Sequence, residues 1–368
     1  MPAVEDQEED PDAVHAFMEE ALEPSRTPPD AFVGAAAGLS AAQVREALER
    51  LAQLPPSPKR GEAERLLLRR WGQLDAEAAL QWVSTIPEPA RRNSLRQQVI
   101  QGWASVNPGQ ALAYLEQQLQ VSGSAVRARE VFEGAQHADD ATALTFFSSL
   151  DVKKYGEEAA NLIWMLFGRN PDQVASFVAT LPEGDLKRLA VDRVIDHWAR
   201  YDPWAAKAWM ERVVPPEAGA SARLELGESW ARVDPAGAVR WFLELPPEQQ
   251  ERRTLDRILY RWLAEDPGSC SEWLAAQPPT PWLDSARSYR AQQIARRDPA
   301  AAMEWVHGIA DPKQRERLEE QLVWEWYRRD RTATVDYVLH RSGLSESARR
   351  RILERAQKDA ERAAASKP

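Results

Sequence analysis

The chain of 368 residues has one cysteine, Cys270. A disulfide framework needs paired thiols and a thiolate-rich zinc site needs several, so neither is built within this chain. No apolar run approaches the ~18 residues of a membrane span. Positive charge is not in excess: the formal net charge is −10, which disfavours a general phosphate-binding surface and hence a nucleic-acid partner. The opening "MPAVEDQEEDPD" carries acids where a signal peptide carries basic residues and then an apolar run. The expectation is a soluble, cytoplasmic protein without a membrane partner, with a trimmed exported form left open. Strand-like alternation is also missing, so no glycine-rich phosphate loop follows a strand.

Tryptophan is what the chain has in abundance: 15 residues, within a hydrophobic fraction of 43%. That is ample apolar surface for a core. Eleven of the fifteen lie in two columns of an internal repeat. Asp75, Asn107, Asp139, Asn170, Asp202, Asp234, Asp266, Asp298 and Asp330 follow one another at intervals of 32 residues, with a single interval of 31. The next residue is proline in six of these nine copies. Five residues before this proline position stand Trp71, Trp103, Ala135, Leu166, Trp198, Trp230, Trp262, Ile294 and Trp326; six after it an unbroken aromatic column runs from Trp82 to Tyr337.

Local structure follows from spacing. Small residues three after the proline position, aromatics six after it and apolar residues seven after it share one face of a helix, whereas a strand would alternate. Asp or Asn caps that helix and proline suits its first position. "IP", "LP" or "QP" steps end it, as at Pro87, Pro182, Pro246 and Pro278, because proline disfavours helical geometry in the residue before it. A second helix follows, for example from Glu248 to about Ala264, with Leu255, Ile258, Leu259 and Trp262 in helical phase. A lone hairpin cannot bury an aromatic on both helices, so neighbours must stack.

The expected fold is therefore all-α: a right-handed α-solenoid, a superhelical stack of about nine 32-residue helical hairpins. Over residues 60–347 the architecture resembles tetratricopeptide-like helical-hairpin repeat proteins, without their Trp, Leu-Gly and Tyr signature. Residues 1–59 form a flank with one or two diverged hairpins, in which "EPSRTPPDAFVGAAAG" reads as a linker or loop. Residues 348–368 form a charged capping helix and tail.

Candidate binding residues are those the repeat does not require. Trp204 and Trp282 lie off both columns and are candidate exposed recognition aromatics. Glu272, Glu304 and Asp336 recur five residues after the proline position, with Glu211 nearby and Arg240 interrupting the series. In the proteins this array resembles, first helices line the concave surface, and there these carboxylates would face a basic peptide or helix. Arg200, Arg232, Arg296, Arg297, Arg328 and Arg329 form a candidate basic edge at the ends of second helices; pairing with the Asp caps and the negative helix end explains them locally.

Chemistry-bearing patterns are weak. Cys270 stands in a column held mostly by alanine, as a small buried hydrophobe. Five histidines share no column and no metal spacing; His307 and His340 hold nearly equivalent places in adjacent units. No catalytic residue, metal or cofactor is expected. The function expected is a non-enzymatic scaffold that binds a protein or peptide on the concave surface. The alternatives are a helical-toroid enzyme with an acidic pocket and, less favoured, a nucleic-acid-binding helical repeat.

Overall fold

Every recurring Asp or Asn does the same job. In the computed structural model, which describes residues 12–22, 34–122 and 128–365, all nine accept a hydrogen bond from the backbone N–H three residues on, at 2.8–3.4 Å. Each cap satisfies one of the amides that a helix start leaves without a partner. The helices it starts include Ala76–Ser84, Pro203–Val213, Pro235–Glu244, Pro267–Ala276, Pro299–His307 and Arg331–His340. Between them run second helices such as Pro58–Leu74, Pro89–Ala104, Val152–Arg169, Ala220–Trp230, Arg252–Glu265, Asp284–Ile294 and Pro312–Tyr327. The described residues are helical or irregular throughout, with no strand.

Boundaries differ from the sequence reading in two places. The second helix expected from Glu248 is a short 3-10 turn, Pro247–Gln249, followed by a helix from Arg252. Consecutive prolines at 246 and 247 delay regular helix, since neither offers an amide. In the N-terminal flank a helix spans Ala13–Leu22. Of the stretch read as a linker, residues 34–37 are helical and 23–33 lie outside the described residues.

The chain forms two compact units, Met1–Val194 and Ile195–Pro368. In the first, Pro58–Leu74 packs on Pro89–Ala104, and that helix on Arg129–Ala135. Backbones touch there: a Cβ on Gly72 would lie 2.2 Å from the Val99 carbonyl oxygen, and one on Gly102 1.9 Å from that of Arg69. Only glycine permits that approach. In the second unit Ala220–Trp230 packs on Arg252–Glu265, which packs on Asp284–Ile294.

The aromatic columns meet across six of the nine junctions between repeats; at two others the first column holds Leu166 and Ile294. Ring centroids lie 5.5–6.1 Å apart for Trp71–Trp82, Trp103–Tyr114, Trp198–Trp209, Trp230–Trp241, Trp262–Trp273 and Trp326–Tyr337. Where the column holds Ala135, Phe132 supplies the ring one helical turn earlier and packs 5.4 Å from Phe146. The period therefore conserves a volume, and the residue that fills it can move by a turn.

A second device closes the turns. Arg60, Arg92 and Arg315, near the starts of second helices, each donate to the carbonyl six residues back, those of Leu54, Ile86 and Ile309. These bonds tie the end of a first helix, where carbonyls lack partners, to the helix that follows.

Candidate functional site

The surface of the first helices is built by subtraction. Positions three, six and seven after the proline position are committed to the core, so positions one, five and eight face outward. Glu272, Glu304 and Asp336 are all exposed, one repeat apart within the second unit. Glu272 makes no hydrogen bond or ion pair with the described residues. His340 Nδ1 lies 3.0 Å from the Asp336 carbonyl oxygen and 3.1 Å from its carboxylate. Glu211 is held by Lys207 at 2.9 Å and lines a pocket of about 360 Å³ with Trp241, Glu244 and Arg223. Arg240 reaches the cap Asp234 at 3.9 Å, which leaves its guanidinium exposed on the same face.

Of the off-column tryptophans, Trp204 is 57% exposed and Trp282 40%. Each still leans on the core. Trp204 meets the buried Trp230 edge-on at 4.7 Å, and Trp282 lies 6.2 Å from Phe242. Beside Trp204 the Tyr201 ring is also exposed.

The arginine edge is engaged differently from the sequence reading. Arg200 pairs with Asp196, one turn earlier in its own helix, at 3.0 Å. Arg232 reaches the same Asp196 at 3.8 Å and Glu228 at 4.0 Å, and Glu228 also binds Arg257 at 2.8 Å and Arg261 at 3.2 Å. These pairings run along and between the second helices. Arg329 donates to the Arg296 carbonyl at 2.9 Å and Arg328 to that of Trp324 at 3.3 Å. Arg296 and Arg297 are exposed.

One polar cluster was not anticipated. Glu319 is 0% exposed, and one of its oxygens accepts Tyr337 Oη–H at 2.7 Å and the Gly343 amide at 2.8 Å. His307 Nε2 lies 3.1 Å from the Tyr337 oxygen and 3.7 Å from the carboxylate. The carboxylate holds the His307 pKa above its ordinary value, against burial. Burial pushes Glu319 up, but His307, Tyr337 and the Gly343 amide outweigh it and leave its pKa low. His340 sits apart with Asp336.

A sequence signal for this cluster exists in retrospect. Glu319 lies seven residues before Trp326, in phase with the apolar stripe, and the same position holds Arg287, Leu255 and Arg223 one, two and three repeats earlier. All four are buried. Arg287 donates to the carbonyls of Leu274, Gln277, Pro278 and Gly308 at 2.8–3.3 Å, and Arg223 to that of Pro216 at 2.9 Å. Buried charges here hold turns, as their burial requires partners.

Cys270 is buried, and burial pushes its thiol up to about 12. Among the described residues no group of three His, Cys, Asp or Glu is placed to hold a metal ion, and no helix is long and apolar enough to cross a membrane. Comparison with protein-family models, with curated proteins and with solved structures finds no match.

Proposed function

We propose that the protein is a non-enzymatic binding scaffold in the cytoplasm. Its hairpins stack as turns of a right-handed α-solenoid of tetratricopeptide-like architecture, and the outward face of the first helices takes up a basic segment of a protein partner. The observation that carries this reading is the repeat of exposed carboxylates at Glu272, Glu304 and Asp336 at one helical position. Same-sign charges at a fixed spacing steer and register a basic helix or peptide.

Two features support it over the alternatives. The recurring Asp residues are used as caps, which removes them as a ring of catalytic acids. Arg200 and Arg232 on the basic edge are committed to Asp196 and Glu228, which reduces what is left for phosphates. The test is affinity capture from the native host with wild type against Glu272→Lys, Glu304→Lys and Asp336→Lys combined. A basic partner should be enriched by wild type and lost with the triple variant; enrichment indifferent to the charges would end the assignment to this face.

A further inference from the structure

One junction between repeats in the first unit lacks two rings that its counterpart in the second unit has. Immediately after the proline position the repeat of Asp202 carries Trp204, and the repeat of Asn107 carries Gly109. Five residues before the next proline position stand Trp230 in the second unit and Ala135 in the first. In the second unit these two positions meet: the Trp204 ring lies edge-on to Trp230, with centroids 4.7 Å apart. In the first unit the corresponding pair is glycine and alanine. Phe132 supplies a ring from one turn earlier, against Phe146 and Tyr155, so it restores the contact with the aromatic column but does not replace Trp204.

The place of that ring is open. A Cβ added to Gly109 meets nothing within 4 Å, and a groove of about 450 Å³ lies between Pro108–Ser122 and Asp140–Ser148, a size typical of pockets that hold organic groups. Val106 and Gly109 line one side; Ala141, Thr145, Phe146 and Ser149 line the other. Val106, in the column that holds Tyr201 in the second unit, is 50% exposed.

The chemistry of the groove selects its occupant. None of the described residues lining it is charged, so an ionised group would lose hydration there without gaining a partner. The hydroxyls of Thr145 and Ser149 donate at 2.7 Å to the carbonyls of Ala141 and Phe146. What these hydroxyls still offer is oxygen lone pairs. A flat apolar group with a hydrogen to donate meets both conditions. An indole is such a group, since its N–H donates only, and it is the group that the chain itself places at the equivalent position, Trp204.

We infer that this groove takes the indole of a tryptophan carried by a partner protein. The source is a protein because the groove lies between first helices, the face on which a protein partner is proposed above; to that extent the inference rests on that reading. Its residues are different and belong to the other unit, so either can fail alone.

The test uses the full chain with carbon-13-labelled valine methyls, the Val106 resonance being assigned through Val106→Ile. The probe is the tripeptide N-acetyl-glycyl-tryptophyl-glycinamide, and the control peptide has leucine at its centre. The tryptophan peptide should shift Val106 saturably with a millimolar Kd, as suits a single side chain. The leucine peptide should bind roughly tenfold more weakly, the scale of one ring contact beyond its buried area. Gly109→Trp supplies the ring from within, at the helix position where Trp204 is already accommodated; it should abolish the peptide shift and leave the thermal midpoint unchanged or higher. Thr145→Gln, at an exposed residue, lays a longer side chain along the groove and should weaken binding severalfold. Glu272→Lys, Glu304→Lys and Asp336→Lys combined should bind the tryptophan peptide as wild type does, which keeps a failure here separate from a failure of the face in the second unit. A Val106 resonance indifferent to the tryptophan peptide, equal affinity for the leucine peptide, binding retained or the midpoint lowered in Gly109→Trp, or affinity unchanged in Thr145→Gln would each overturn the assignment.

Discussion

Tyr337 donates its hydroxyl hydrogen to the buried carboxylate of Glu319 at 2.7 Å while its oxygen stands 3.1 Å from His307 Nε2. An imidazole N–H can therefore donate to a phenol that donates in turn to a carboxylate, whose other ligand is the Gly343 amide. The three side chains come from Pro299–His307, Pro312–Tyr327 and Arg331–His340, so the cluster joins two adjacent repeats. Glu304 and Arg315 also act on His307, the first raising and the second lowering its pKa.

The His307 pKa is raised in the folded state, so its contribution is complete below the unfolded value of about 6.5 and is lost as pH rises through the folded value. The urea midpoint of wild type should fall between about pH 6 and pH 8 more steeply than that of His307→Gln, which keeps a donor but not the charge. Equal slopes for the two proteins would show that the imidazole charge does not stabilise the fold. Tyr337→Phe, which takes a donor from a buried carboxylate, should cost about 1.5–3 kcal/mol at neutral pH.

Trp241 and Trp204 should separate sharply. Trp241 is 1% exposed and stacks on Trp230 at 5.8 Å, so Trp241→Ala should lose about 3–5 kcal/mol in chemical denaturation. Trp204→Ala gives up mainly one edge-on ring contact and should lose about 1 kcal/mol. Similar losses at both sites would contradict the division between core column and surface.

Two glycines make an equally direct pair. Gly102→Ala forces a methyl into the Arg69 carbonyl and should destabilise by about 1–3 kcal/mol or more. Gly109, near the start of Pro108–Ser122, has nothing within 4 Å of an added Cβ. Gly109→Ala should leave stability unchanged or raise it by up to about 1 kcal/mol through helix propensity. Thermal melts of the two variants decide this.

Arg287 holds four carbonyls from two successive turns. Arg287→Met keeps most of the volume and orphans them, at a cost of about 3 kcal/mol. Limited proteolysis should then find new cleavage around Gln277 and Gly308; a resistant variant would mean the turns hold without the guanidinium.

Much of the helical hairpin pattern can be read from the sequence, because caps, proline stops and aromatic columns are short-range rules repeated many times. Phe132 shows where such reading thins out: a column predicts Ala135, and only packing reveals that the neighbouring turn supplies the ring. The same holds for function. Exposure of Glu272 follows from helical phase, and so does the pairing of Arg200 with Asp196 one turn earlier, but the reach of Arg232 to Asp196 crosses to an adjacent helix, which sequence spacing alone does not specify. The groove beside Gly109 is legible only in part: glycine in the place of Trp204 and alanine in the place of Trp230 are visible in the sequence, while the open volume between the helices is not.

The small-residue column has a kinetic consequence at Cys270. A chain with a single thiol, buried against its neighbours and with its ionisation pushed up to about 12, offers a thiol reagent almost no thiolate while the repeat is closed. Modification must then wait for that hairpin to open, so the rate at which Cys270 is alkylated under native conditions is a clock for local opening of one repeat. If hairpins open individually, this clock will run faster than global unfolding; if a whole unit opens as one, the two rates will coincide.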